Sequence, residues 1–315
     1  MMVLINNIVI CNVLSVFGTA ANAINMAVLY KQGLDTSINI SFFGMALSDT
    51  CSLLTLLWYN VCFNPLLSDS GLPLDPIEFQ HLTGCYPHDC FSRITGMIIM
   101  YVTAERCLCI MAPLRVKLII TPRRATMIVC FLYLLMFALL IPEYYSYYLD
   151  WKFFPARNKT LIGLVTRPHA ILLESLTDIM YAVCLITSFI SVVILTIILV
   201  KKLQQKEMWR MASTADKHQS DRMSTRNRKT IHMVVQIAAM LIVCYTPVVV
   251  VYVWTFLEPE FTTSGLYANL YFAACSVAQV FEAINSSFHI VLYYVMSSNY
   301  RCTLHQILPF KFGSQ

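Results

Sequence analysis

A few charged side chains stand inside long uncharged stretches of the chain, and these are the residues that could do chemistry. Asp49 is the clearest, because the stretch from Phe42 to Leu57 carries no other charge. An ionisable group in such a setting is costly and usually marks function. The carboxylate of Asp49 could act as a hydrogen-bonding acid of the structure or as an ion or proton site.

Oxygen-bearing side chains occur at a depth comparable with that of Asp49 in other apolar segments, namely Asn22, Thr95, Asn285 and Ser286. A carboxylate together with neutral oxygens is the ligand set that a hard cation such as sodium accepts. The sequence therefore predicts a sodium-like site formed by Asp49, Thr95, Asn285 and Ser286, and it predicts no other cofactor.

Two further charged groups lie in apolar surroundings. Arg93 could pair with Glu282 or Asp89, or it could hold a ligand carboxylate. The adjacent residues Glu105 and Arg106 could form an interfacial pair whose arginine reaches the lipid headgroups, or a latch between helices. Both groups place a guanidinium near carboxylates, so each is a candidate for a signal or ion path.

The composition shows which solvent surrounds these groups. The chain has 315 residues, of which 58% are apolar and only 12% are charged, and its mean hydropathy is +0.64. Soluble domains carry about 25% charged residues. The composition indicates a membrane protein and excludes a secreted disulfide scaffold, a disordered regulator and a nucleic-acid-binding domain. No metalloprotease, paired intramembrane aspartate or nucleophile motif appears, so we expect no enzyme.

Seven segments are long enough to cross a bilayer, since a spanning helix needs about 20 mostly apolar residues. Open sheets cannot satisfy their backbone in lipid, so these spans are helices. The third is the weakest because it contains four charges. The sequence thus predicts an all-α seven-transmembrane helix bundle in a single domain over 1–315. The predicted spans are about 6–30, 37–62, 84–111, 125–148, 171–200, 230–257 and 267–295.

The basic residues predict the orientation of the bundle. Seven spans divide the loops into two sets, and one set contains 17 of the 22 lysines and arginines. Positive loops stay in the cytoplasm, so we expect the N-terminus outside and the C-terminus inside the plasma membrane. The sequon at Asn158 then lies outside, where it can be glycosylated.

The segment Glu105–Leu114 resembles the acid-arginine motif of rhodopsin-like (class A) G-protein-coupled receptors. Ile110, Pro113 and Leu114 fit that family's pattern, whereas Cys107 replaces the usual tyrosine. A glutamate-arginine pair alone is not specific, so the resemblance rests on this segment together with matches in the other spans.

Other spans show similar matches in the expected order. Gly18–Asn22 and Ala46–Asp49 are similar to the family motifs of spans one and two. Cys244–Pro247 looks like the span-six motif with a tyrosine in place of tryptophan, and Asn285–Tyr293 resembles the span-seven motif with His289 and Ile290 as departures. Asn299–Arg301 resembles the start of a short amphipathic helix, which we place at about 298–308. The resemblance implies G-protein coupling and activation roles for Glu105, Arg106, Ile110, Pro113, Leu114, Tyr245, Pro247 and Tyr293.

The resemblance also implies a disulfide that this chain cannot form. The family has a cysteine 25 residues before the span-three arginine, where this chain has His81, and the loop 147–169 has none. A bridge from Cys62 to Cys85 or Cys90 could replace it, because the outside is oxidising. The alternative is three reduced thiols.

The ligand side of the family lies among the outer ends of the helices. Amine receptors have an aspartate where this chain has His88, with Asp89 next to it, so the amine-binding role does not carry over. We interpret His88, Asp89, Arg93, Tyr245 and Glu282 as the ligand pocket.

The outer half is rich in acids, which could attract cationic ligands or could be solvated loop residues. They are Asp69, Asp75, Glu78, Asp89, Glu143, Asp150, Glu174, Asp178, Glu258 and Glu260.

The resemblance implies a receptor that carries a small-molecule or short-peptide signal to a heterotrimeric G protein, with membrane lipid as its other partner. The subfamily pattern is similar to invertebrate peptide or chemosensory receptors. The alternative is an ion-coupled transporter or channel that uses Asp49, Glu282 and His289. No internal repeat appears, which disfavours a transporter built from duplicated halves.

Overall fold

Seven long helices form one bundle in the computed structural model, which describes residues 2–64, 67, 71–112, 119–168, 170–212, 221–263 and 265–308. A short helix, α8, follows the seventh, as predicted. The helices are α1 (Met2–Gln32), α2 (Ser37–Cys62), α3 (Pro76–Met111), α4 (Pro122–Ser146), α5 (Ala170–Ala212), α6 (Asp221–Leu257), α7 (Ala268–Met296) and α8 (Ser298–Ile307).

Six of these helices, α1 to α6, are long and apolar enough to cross a membrane by length and composition. Helix α7, which is not among these six, has 29 residues and carries several polar side chains. They face the bundle, where Glu282, Asn285, Ser286, Ser287 and His289 are all buried. The polar residues of α7 are therefore turned away from lipid and towards the other helices.

Local signals in the sequence set the helix ends. Thr36, Thr121 and Ser297 precede α2, α4 and α8, and each accepts a hydrogen bond from the backbone N–H three residues later. Such side-chain caps satisfy N–H groups that a helix start leaves unpaired. Helix α1 ends before Gly33, whose φ of 88° suits a residue without a side chain.

Helix α3 lies at the centre of the bundle and contacts α2, α4, α5 and α6. Helix α1 packs between α2 and α7. Gly18 permits the close approach of α1 to α7, because a Cβ atom there would come within 2.2 Å of the Ser287 Oγ. The match of Gly18 to the span-one motif thus has a packing reason.

A β-hairpin follows α4, and the sequence did not predict it. Span four was expected to reach residue 148, but the helix ends at Ser146. The chain then forms β1 (Tyr147–Phe154) and β2 (Lys159–Thr166), which pair antiparallel. Apolar and polar residues do not alternate cleanly in β1, so its sequence does not show the pattern of a strand. The aromatic residues at its start were therefore counted as the end of the preceding helix.

Two helices extend past the predicted spans on the opposite side of the bundle from the hairpin. Helix α5 continues from the predicted end at 200 to Ala212, and α6 begins at Asp221, ahead of the predicted start at 230. The hydropathy of a span ends where the polar segment begins, but a helix can continue into water. Hydropathy alone therefore did not predict the extensions.

Candidate functional site

A buried ionic cluster joins α3 to α6 and α7 at the level of the predicted ligand pocket. Arg93 is 2% exposed. Its Nη1 atom donates to Glu282 Oε1 at 3.2 Å and its Nη2 atom to Asp89 Oδ1 at 3.4 Å. The Tyr252 hydroxyl accepts from Nη2 at 3.2 Å. The structure therefore pairs the arginine with both of its predicted acids.

The remaining residues of the predicted pocket complete the same cluster. His88 Nε2 lies 3.6 Å from Glu282 Oε2. Ser92 Oγ donates to Glu282 Oε1 at 2.9 Å, and the Tyr245 hydroxyl donates to the Ser92 carbonyl at 2.8 Å. All five predicted residues thus lie together in one cluster that joins α3, α6 and α7.

Sequence reasoning missed two members of this cluster, Ser92 and Tyr252. Tyr252 lies seven residues after Tyr245, which is two helical turns on the same face of α6. Ser92 precedes Arg93 and carries a hydroxyl into an apolar span. Helical spacing from the predicted residues could have found Tyr252, whereas an isolated serine gives no such signal.

The middle of the bundle holds the predicted ion-site residues around Asp49. Its Oδ1 atom accepts from Thr95 Oγ1 at 2.8 Å, and its Oδ2 atom lies 2.9 Å from His289 Nδ1. The side-chain atoms of Asn285 are buried and have no hydrogen bond in the described part of the chain. Ser286 contributes its backbone carbonyl, which accepts from Asn22.

These contacts bear on the predicted sodium ion. The unpaired Asn285 amide could supply an oxygen to a cation. However, His289 already holds the Asp49 oxygen that a cation would need. The side chains therefore do not fit a sodium ion in this arrangement, and the sodium site stays a prediction.

The inner end of α3 carries the acid-arginine pair. Arg106 Nη2 donates to Glu105 Oε1, and the same oxygen accepts from the hydroxyl of Ser37 on α2 at 2.5 Å. Glu105 is buried, whereas 13% of the Arg106 side chain is exposed. Glu105 therefore holds the guanidinium and ties it to the start of α2.

The inner ends of α3, α5 and α6 are packed together beside this pair. Cys107, Leu199, Leu203 and Ile231 form a buried cluster, against which Ile110 packs. These side chains fill the space between the three helix ends. Of the remaining predicted coupling residues, Pro113 and Leu114 lie outside the described residues.

Tyr293, the last residue of the span-seven motif, lies among aromatic rings near the inner end. Its ring centroid is 5.0 Å from that of Phe42 and 5.6 Å from that of Tyr300. The Tyr300 hydroxyl donates to Asn25 Oδ1 at 2.6 Å. These contacts fix α8 against α1 and α7. Pro247, the remaining activation residue of the prediction, lies inside α6.

The amino-acid sequence matches the protein family described as serpentine type 7TM GPCR chemoreceptor Srw over residues 9–311. The chain belongs to this family. It is therefore a G-protein-coupled receptor and a multi-pass membrane protein, and the family is not an enzyme class. The predictions of a receptor and of a non-enzyme are confirmed. No curated protein gives a significant match to the receptor sequence.

Among the described residues, no disulfide attaches the hairpin to the bundle. All three thiols of the predicted bridge, Cys62, Cys85 and Cys90, are free in the structure. Backbone hydrogen bonds connect the hairpin to the segment before α3 instead. Asp75 N donates to the Ile162 carbonyl at 2.8 Å, and Ile162 N donates to the Pro73 carbonyl at 2.9 Å.

Charged side chains reinforce this attachment. Glu78, in the first turns of α3, accepts from Leu164 N at 2.6 Å and from Lys152 Nζ at 2.8 Å. Arg157 Nη1 lies 3.2 Å from Asp75 Oδ2. The single carboxylate of Glu78 thus contacts both strands of the hairpin.

Replacing Glu78 with alanine should therefore release the hairpin. Hydrogen bonds to charged groups contribute about 1.5–3 kcal/mol each. A loss of about 2 kcal/mol raises the detached fraction roughly 30-fold. Trypsin cleavage of the hairpin at its basic residues, measured on the purified receptor, should accelerate by a comparable factor.

The matched control for this test is Asp150→Ala, which removes an exposed acid from the same hairpin. The only hydrogen bond of the Asp150 side chain in the described chain is with its neighbour, Trp151 N. A reducing agent should leave the wild-type cleavage rate unchanged. Equal rates for Glu78→Ala and Asp150→Ala, or faster cleavage on reduction, would contradict the proposed attachment.

Proposed function

We propose that the receptor is of the rhodopsin-like type and carries a small-molecule or short-peptide signal across the plasma membrane to a heterotrimeric G protein. The N-terminus lies outside and the C-terminus inside. The observation that supports this function is a column of buried polar clusters along α3 and α7. It runs from Arg93 and Glu282 through Asp49 and His289 to the inner pair at Arg106.

The proposed mechanism is a shift between two populations of the bundle. The packed inner cluster around Cys107 and Ile231 corresponds to a resting arrangement. A ligand that binds the outer end better in the open arrangement favours an outward movement of α6, which Pro247 permits because a proline weakens the helix there. That movement would expose Arg106 and Ile110 to an amphipathic helix of the G protein.

An open space already exists on another side of the inner end. A cavity of about 870 Å³ lies between α1, α2, α6 and α7. Lys229 and Met233 of α6 line it together with Tyr293 and Tyr300. A face of α6 thus already borders an open space, which supports α6 as the element that moves.

Nucleotide exchange tests the proposed function. Receptor in membranes is mixed with purified heterotrimeric G proteins and exposed to amines, short peptides and water-borne odorants. At least one ligand should accelerate nucleotide exchange. If none of the ligands changes the rate of nucleotide exchange, and vesicles that carry the receptor show ion flux, the result would instead favour a transporter. That transporter would use Asp49, Glu282 and His289.

The proposed orientation predicts a glycan on Asn158. This residue lies exposed at the tip of the hairpin, with a φ of 49°. Asn158→Gln should remove the endoglycosidase-sensitive part of the receptor's apparent mass on a gel. The control is Asn39→Gln, because the sequon at Asn39 starts within α2 at the cytoplasmic end. A glycan that is lost in Asn39→Gln and kept in Asn158→Gln would reverse the orientation.

A further inference from the structure

Three carboxylates lie between the extracellular ends of α4 and α5, and none of them makes an ion pair with another described residue. Glu143 is in the last turn of α4. Glu174 and Asp178 lie four residues apart, on one face of α5 near its start. Asp178 is within electrostatic range of both glutamates and of Asp89. These three acids, Glu143, Glu174 and Asp178, are called the carboxylate site below.

Glu143 is the unusual member of the carboxylate site. Its exposed fraction is 0%. Neither carboxylate oxygen makes a hydrogen bond of normal geometry in the described part of the chain, although the hydroxyls of Tyr86 and Thr177 lie nearby. Burying an unpaired carboxylate is costly. A cation that reached Glu143 would remove that cost.

The other two acids lie in more accessible positions. Glu174 is half-buried, and its carboxylate accepts hydrogen bonds from Tyr147 and, at 3.5 Å, from Tyr86. Burial and the contact with Glu174 raise the pKa of the Tyr147 hydroxyl, so this tyrosine stays a donor at neutral pH. Asp178 is exposed. Asp178 is therefore the member of the carboxylate site that lies at the surface of the bundle.

Four of the five lysines and arginines of the outer half are engaged elsewhere. Arg93 pairs with Glu282 and Asp89, and Lys152 and Arg157 pair with the segment before and within α3. Arg167 lies over the rings of Tyr145 and Tyr148. Lys159 is exposed at the start of β2. Among the described residues, none of these five neutralises the carboxylate site.

Within the described part of the chain, a histidine is a further basic group near the site. His81 lies within electrostatic range of Glu174. Its ring centroid is 4.8 Å from that of Tyr86 and 6.2 Å from that of Tyr147. The imidazole thus belongs to an aromatic wall beside the acids. Aromatic faces next to carboxylates favour an organic cation, because ring quadrupoles attract positive charge.

We propose that Glu143, Glu174 and Asp178 bind the ammonium or guanidinium group of the receptor's ligand, with Tyr86, Tyr147 and His81 against its apolar part. This inference rests on the proposed receptor function and specifies its ligand class. The carboxylate site lies beside the cluster around Arg93, whose charges are already paired. Three like charges that repel one another become favourable once a cation lies among them.

Thermal unfolding of the purified receptor tests the carboxylate site without any G protein. The probes are two pairs of similar shape, phenethylamine with 2-phenylethanol and benzamidine with benzamide. At concentrations about tenfold above its Kd, a charged probe should raise the Tm by about 3 °C, and its neutral partner should not. Glu143→Gln should abolish the shift, whereas Asp150→Asn, which removes an exposed outer acid, should keep it.

The Tm measured without any probe shows whether a substitution affects ligand binding or the stability of the fold. Removing an unpaired buried charge should leave the Tm of Glu143→Gln equal to or above that of the wild type. If that variant does not fold, the exposed Asp178→Asn must lose the shift instead. Equal effects of the charged and neutral probes on the wild type, or a full shift in a folded Glu143→Gln, would overturn the proposal. A receptor that binds the cations but drives no nucleotide exchange would leave the site intact and refute the proposed coupling.

Discussion

Replacing Arg106 with alanine should abolish ligand-stimulated nucleotide exchange while surface expression is kept. Arg106 is the partly exposed cation at the inner end of α3, beside the packed ends of α5 and α6. Truncating a charged group in an interface costs about 2–5 kcal/mol. Coupling to the G protein should therefore fall at least tenfold.

The measurement compares exchange rates at matched surface expression, determined by antibody labelling of intact cells. Arg123→Ala is the control, because Arg123 is an exposed arginine in the first turn of α4, on the same side of the membrane in the proposed orientation. It should reduce exchange little. Unchanged exchange in Arg106→Ala, or an equal loss in both variants, would show that Arg106 has no specific role in coupling.

Replacing Glu282 with leucine should destabilise the receptor more than any surface substitution. The change leaves the Arg93 guanidinium buried, with the partly exposed Asp89 as its remaining acid. Breaking a buried pair by removing one partner costs about 3–5 kcal/mol. The Tm of the solubilised receptor should fall by about 10 °C.

Two variants show whether the buried charge is the cause. Asp89→Asn removes the other acid of Arg93, but 31% of the Asp89 side chain is exposed, so its effect on the Tm should be much smaller. The double variant Arg93→Met with Glu282→Leu removes both buried charges and should recover most of the lost Tm. A double variant that is no more stable than Glu282→Leu would contradict this explanation.

Hydropathy and charge placement predicted the bundle because lipid imposes a strong constraint on each span. The high cost of a charge in lipid also located the polar clusters, since an ionisable residue in an apolar segment needs a partner. Arg93 with Glu282 and Asp89, and Asp49 with Thr95, were found from residue type and depth alone. The structure also brings His289, a departure from the span-seven motif, into contact with Asp49.

The parts that the sequence did not predict depend on contacts between distant segments. Glu78 looked like a solvated loop acid, and only the fold brings it to both strands of the hairpin. Glu143 and Glu174 lie on different helices, so spacing along the chain does not relate them. The distance between two cysteines along the chain likewise does not give the distance between their Cα atoms in space. That Cα–Cα distance decides whether Cys62 can form a disulfide.

The polarity of α7 has a consequence for how the receptor is made. A charged residue at the centre of a spanning helix costs about 2.5–3.5 kcal/mol during insertion by the translocon, and α7 carries Glu282 beside other buried polar side chains. We therefore expect α7 to enter the bilayer late and in contact with helices that are already in place. Arg93 on α3 would then act as its counter-ion during biogenesis, so that substitutions at Arg93 would leave receptor chains in the endoplasmic reticulum.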